Sequence, residues 1–203
     1  MVAIAILRGH DKIAQLLLEN DYYSNFSDVK DVSILNKAIC EGKTKIVKLL
    51  LEHNFDPNIY SDDGESPLCR AASLGKVKIE HIPLPPMGVM KDNCYLVELL
   101  LKNESDPNIC DNMNISPLLM ATMKGNSDLV KLLLEYKSDP NICDKNKETP
   151  LSVATERGHS IIVKLLLDNN CDINIRNREN KLPLIVAFEK CHTEIVQLLI
   201  NHE

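Results

Sequence analysis

Residues 63–75 read Asp63-Gly64-Glu65-Ser66-Pro67-Leu68-Cys69-Arg70-Ala71-Ala72-Ser73-Leu74-Gly75. Ser66-Pro67 places a hydroxyl at a helix N-cap and a proline at the first helical position. The hydroxyl accepts a backbone N–H there, and proline's missing donor costs nothing. Leu68, Ala71 and Ala72 then mark the apolar stripe of a short helix, with alanine permitting close approach of a neighbour. Gly75 ends the helix where a left-handed residue is needed. The same opening recurs at Ser116-Pro117 and Thr149-Pro150.

Working outward, the chain repeats itself. Leu-Leu-Leu stands at Leu49–Leu51, Leu99–Leu101, Leu132–Leu134 and Leu165–Leu167, with steps of 50, 33 and 33 residues. Leu16–Leu18 lies 33 residues before the first run, and Leu198-Leu199-Ile200 lies 33 after the last. Gly9, Gly42, Gly75, Gly125 and Gly158 keep the same phase. Each leucine run leads to Asp-x-Asn: Asp56-Pro57-Asn58, Asp106-Pro107-Asn108, Asp139-Pro140-Asn141 and Asp172-Ile173-Asn174. Proline fixes φ and disfavours helix before it, so the second helix of each unit must stop there. That helix is marked by apolar residues at helical spacing, as in Ile46, Val47, Leu49, Leu50 and Leu51. A period of this length signals a stacked array, because neither helix of a unit buries its apolar face alone. The units are 1–26 (partial), 27–59, 60–109, 110–142, 143–175 and 176–203 (partial), all in one domain, 1–203.

The quoted stretch resembles the ankyrin signature D-x-x-G-x-T-P-L-H-x-A-A-x-x-G. Thr149-Pro150-Leu151-Ser152-Val153-Ala154 with Arg157-Gly158-His159 resembles it again. The resemblance covers nearly the whole chain and implies an all-α fold. The expected form is an ankyrin-repeat solenoid of stacked helix-turn-helix units with short β-hairpin-like loops. The usual histidine after leucine is replaced by Cys69, Leu119, Ser152 or Ile185, which removes a polar contact that the family often makes.

Composition narrows the function classes. A net charge of −6 and a pI near 5.5 argue against a general nucleic-acid or anionic-membrane surface. No stretch approaches the roughly 18 consecutive apolar residues of a membrane span. The first residues, Met1 to Leu7, carry neither a basic lead nor a small-residue cleavage site, so no signal peptide is read. The seven cysteines form no CxxC pair, and the expectation is reduced thiols in an intracellular, cytoplasmic or nuclear, protein.

The third unit is 17 residues too long. The register places the excess between its two helices, at about residues 76–91, where Pro83, Pro85 and Pro86 forbid regular helix. A protruding loop with Ile82, Leu84, Met87 and Val89 that contacts a partner is one reading. A tolerated surface insertion and retained non-coding sequence are the others. Met1 sits where the signature proline belongs, and Cys191 where a glycine does. The last helix shows no polar capping face in Ile195, Val196, Leu198, Leu199 and Ile200, which predicts a section of a longer array or an incomplete product.

No nucleophile motif, phosphate-cradling loop or metal cluster is present in the sequence, so no catalytic residue, cofactor or small-molecule substrate is expected. His10, His159 and His192 follow the repeat glycine or its replacement and predict turn packing. Cys110 and Cys143 occupy equivalent positions one repeat apart, read here as two thiols. What remains is a recognition surface. The family resemblance places partners along the loop tips and first helices, here Tyr60 to Glu65, Cys110 to Ile115, Cys143 to Glu148 and Arg176 to Lys181. Asp62, Asp63 and Glu65 make one end acidic, while Arg176, Arg178 and Lys181 make the other basic. Asp111, Lys145 and Lys147 lie between them, and Tyr60 and Met113 are the candidate anchors. Asn58, Asn108, Asn141 and Asn174 resemble ankyrin asparagines that an oxygenase hydroxylates, although bracing of the loop is the simpler role. The expectation is a non-enzymatic scaffold that binds another protein. An adaptor segment of a larger signalling, ubiquitin-ligase or channel protein is the first alternative. A nucleic-acid binder using Arg176, Arg178 and Lys181 is the second, opposed by the net charge.

Overall fold

The computed structural model describes residues 2–20, 32–61, 64–74 and 93–202. Twelve helices and no strand occur among them, as an all-α repeat array requires. They form pairs. α1 (Val2–Leu7) precedes α2 (Asp11–Glu19), α3 (Val32–Cys40) precedes α4 (Thr44–Glu52), and α5 (Pro67–Ser73) precedes α6 (Cys94–Lys102). α7 (Pro117–Met123) and α8 (Ser127–Glu135), α9 (Pro150–Glu156) and α10 (Ser160–Leu167), and α11 (Pro183–Glu189) and α12 (Thr193–Ile200) complete the series. The chain divides into two compact units, 1–106 and 107–203.

Local chemistry sets the helix starts. Ser66, Ser116 and Thr149 each accept the backbone N–H three residues on, from Cys69, Leu119 and Ser152, with proline at the first helical position. Thr149 and Ser152 also close a reciprocal capping box, so one replacement for the family histidine restores a polar contact of its own. Leu182 stands at the corresponding cap of α11 and supplies no side-chain bond. Gly9, Gly42, Gly125 and Gly158 all have positive φ after the first helix, and Cys191 takes the same conformation at φ 57°. Gly75 lies outside the described residues.

Packing explains the periodicity. Ala38, Ala71, Ala121, Ala154 and Ala187 recur in register on the first helices and are fully buried. A small side chain there lets consecutive first helices approach, as α1 does α3 and α3 does α5 in the first unit, and α7 does α9 and α9 does α11 in the second. Leu50, Leu100, Leu133 and Leu166 are the equivalent fully buried residues of the second helices. Truncating any of them to alanine removes about 2–5 kcal/mol of stability.

The insertion at 76–91 lies outside the described residues, but its flanks are α5 and α6. Asn93, where description resumes, is buried and donates from Nδ2 to the carbonyls of Ala71 (3.0 Å) and Leu74 (2.9 Å). The chain therefore returns onto the end of the helix it left, and the α5–α6 pair is intact.

Candidate functional site: the loop tips

Each loop tip is built on one polar side chain. Asp111 Oδ1 accepts the N–H groups of Met113 and Ile115, both at 2.8 Å. Asp144 Oδ1 accepts those of Asn146 (2.8 Å) and Glu148 (2.9 Å), and Asn177 Oδ1 those of Glu179 and Lys181 (both 3.0 Å). A single backbone bond closes each tip: Asp111 to Ile115, Asp144 to Glu148, and Asn177 to Lys181. Asn114, Lys147 and Asn180 supply the positive φ that the reversal needs. In the first unit Ser61 takes this place, donating from both N and Oγ to the carbonyl of Glu65, with Gly64 at φ 75°. The tips are thus hairpin-like in their closing bond without forming strands. Asp111, expected as a contact residue, spends one carboxylate oxygen on its own turn.

Consecutive tips of the second unit are joined. Lys145 N donates to Met113 O at 3.1 Å, and Asn114 Nδ2 donates to Cys143 O at 2.5 Å. Arg178 Nε lies 3.7 Å from Glu148 Oε1. With the backbone engaged in this way, Met113, Lys145, Lys147, Arg176 and Arg178 stand exposed along one ridge. Lys181 is drawn away from it. Its ammonium lies 2.7 Å from Glu189 and 3.1 Å from Glu179, and hydrogen bonds to those carboxylates, Glu189 first, raise its pKa above the ordinary lysine value. Arg176 donates to Asn180 O at 2.9 Å.

In the first unit Tyr60 is exposed, while Glu65 is paired with Arg70 at 2.5 Å. Asp62 and Asp63 lie outside the described residues. The expected acidic end is therefore represented in the described tips by a carboxylate already matched to a guanidinium.

The asparagines of the Asp-x-Asn turns tie one repeat to the next. Asn58 Oδ1 accepts Asp106 N at 2.8 Å, and its Nδ2 donates to Glu104 O at 3.1 Å. Asn108 Oδ1 accepts Asp139 N, and Asn141 Oδ1 accepts Asp172 N, both at 2.7 Å. Bracing is the role that sequence proposes for them, but the brace crosses to the following repeat. The histidines do pack on turns: a Cβ on Gly125 would lie 2.9 Å from the ring of His159, and one on Gly158 the same distance from His192. Cys110 and Cys143 are both half-buried, and Cys110 Sγ lies 3.4 Å from Asn108 O.

Among the described residues, no helix is long and apolar enough to cross a membrane. No curated protein matches the chain. A family model described as ankyrin repeats in three copies matches residues 1–81, 87–177 and 136–203. Capped first helices, glycine-terminated turns and asparagine-linked loops recur across those same residues, and the chain belongs to the ankyrin-repeat family.

Proposed function

We propose that this chain is a non-enzymatic scaffold that binds another protein through its loop tips and first helices, inside the cell. Ankyrin repeats are generally protein–protein interaction modules. One observation carries the finer reading: in the second unit the tip backbones bond to one another, leaving Met113, Lys145, Lys147, Arg176 and Arg178 exposed on a braced ridge. A surface ordered before binding loses little entropy on association, so side-chain complementarity goes into affinity. The exposed cations favour an acidic protein segment, with Met113 against an apolar side chain of the partner. On the first unit, Tyr60 offers a second aromatic contact.

Affinity capture from the native cell tests this. The wild type is compared with a Lys145→Glu/Lys147→Glu/Arg178→Glu variant, with Met113→Ser, and with a chain lacking residues 76–91. Loss of the same bound protein from the first two, with unchanged melting, supports the ridge. An unchanged set of bound proteins refutes it. Salt-dependent retention on DNA or RNA would instead assign the cations to phosphates. Selective loss of binding on deletion of 76–91 would assign recognition to the insertion. Hydroxylation of Asn58, Asn108, Asn141 or Asn174 is a secondary proposal, read as a gain of one oxygen mass on the turn peptide. At the first three sites a modifying enzyme must open the inter-repeat bonds.

A further inference from the structure

The first and last helix pairs expose large apolar side chains that the inner repeats bury. Ile13 on α2 is 52% exposed, whereas its equivalents Ile46, Leu129, Ile162 and Ile195 are at most 3% exposed. Phe188 on α11 is 74% exposed, whereas its equivalents Ile6, Ile39, Thr122 and Thr155 are fully buried. The two ends act as controls for each other. Ile195 is covered in the last pair, so the Ile13 position faces the preceding repeat. Ile6 is covered in the first pair, so the Phe188 position faces the following one. Ile4 and Leu16 are exposed with Ile13, and Ile185 and Ile200 with Phe188. The α1–α2 face and the α11–α12 face are therefore the two halves of one kind of repeat–repeat interface.

We propose that the chain associates head to tail, the α11–α12 face of one copy stacking on the α1–α2 face of a second copy. Phe188, Ile185 and Ile200 would then be buried against Ile4, Ile13 and Leu16, as their equivalents are within each unit. The favoured occupant is a second copy because each face presents the positions that the inner repeats pack against the other. One point of the junction differs. His159 and His192 seat over Gly125 and Gly158, but the incoming His10 meets Cys191, whose Cβ fills that seat. His10 must rotate its ring aside, so the junction is weaker than an inner one and strengthens when the seat is emptied. Contact between two different faces is heterologous, and each copy keeps one face open for a further partner.

The test is sedimentation equilibrium of the full chain from about 1 µM to about 1 mM. The average mass of the wild type should rise with concentration. Phe188→Asp and Ile13→Asp, both at exposed positions, should each weaken association at least tenfold while leaving the melting curve in place. An equimolar mixture of the two should form a dimer and stop there, because each variant keeps one intact face. Cys191→Gly should tighten association. A wild type that stays monomeric over this range overturns the proposal, as does association that Phe188→Asp abolishes and Ile13→Asp leaves untouched. A mixture that does not recover a dimer overturns it too, and unchanged association of Cys191→Gly overturns the proposed register.

Discussion

The ring of His159 occupies the space that any side chain at position 125 would need, its Cε1 2.9 Å from where a Cβ would stand. Gly125 is thus held by two demands, its positive φ of 68° and the histidine of the next repeat. Gly125→Ala should cost about 1–3 kcal/mol, combining left-handed strain with an enforced shift of the ring. Adding His159→Ala should return part of that cost and leave only the backbone share. Urea melts of the two single variants and the double variant give the coupling. Strict additivity would mean that the ring yields freely and exerts no demand on the glycine.

Cys191 shows the same turn under the opposite pressure. It holds φ 57°, is exposed, and lacks the glycine found at 125 and 158. Cys191→Gly removes the crowding of a left-handed Cβ and should stabilise the chain by about 0.5–1 kcal/mol, less whatever the freer unfolded glycine takes back. The reverse change one repeat earlier, Gly158→Cys, should destabilise by more, because the His192 ring lies 2.9 Å from the new Cβ. Opposite signs in thermal melts are the expected outcome. Equal and small shifts would show that the turn has no glycine requirement.

The asparagine ladder predicts where stability is transmitted between repeats. Asn108→Ala deprives Asp139 N of its acceptor at 2.7 Å and should cost about 1–2 kcal/mol. Hydrogen exchange at the Asp139 amide should quicken more than exchange in α7 or α9. Asn174 is exposed, and Asn174→Ala serves as the comparison with a smaller cost. Unaltered protection of Asp139 in Asn108→Ala would show that the amide finds another acceptor.

These cases mark what sequence conveys here and what it does not. Helix starts at Ser66-Pro67, Ser116-Pro117 and Thr149-Pro150 are legible because cap, proline and first turn are neighbours in the chain. The Asn108–Asp139 bond is not, because its partners are 31 residues apart and meet only once repeats stack. Asp111 reads as a surface charge from composition, yet its place three residues before Asn114 is an Asx-turn signal for the brace it makes. The charge gradient along the tips is altered by pairings that reach out of a tip, Glu65 to Arg70 and Lys181 to Glu189. The last repeat shows the same limit. Hydropathy marks Ile195 through Ile200 alike, but Ile195 and Leu199 are buried while Ile200 is exposed together with Phe188 of the first helix.

The first and second helix pairs share an ionic cluster whose pH dependence is predictable. Lys43 Nζ lies 2.6 Å from Asp11 Oδ1 and 2.5 Å from Glu41 Oε2, and Lys37 reaches Glu41 at 3.2 Å. The hydrogen bond from Lys43, opposed by some burial and aided by Lys37, holds the Glu41 carboxyl below its ordinary pKa. Burial works against the charged form of Lys43, but hydrogen bonds to Asp11 and Glu41 outweigh it and raise its pKa. A depressed carboxyl contributes stability above its unfolded pKa of about 4.3, lost as pH falls through the lower folded value. A raised lysine contributes below its unfolded value of about 10.4, lost as pH rises through the higher folded one. The cluster should therefore stabilise most between about pH 5 and 10, by no more than about 1 kcal/mol because Glu41 and Asp11 are partly exposed to solvent. Lys43→Met should lower the urea midpoint at pH 7, and the gap from wild type should close as pH falls below about 4 and the carboxylates protonate. A gap that persists unchanged into acid would show that Lys43 contributes by packing its aliphatic stem rather than by charge.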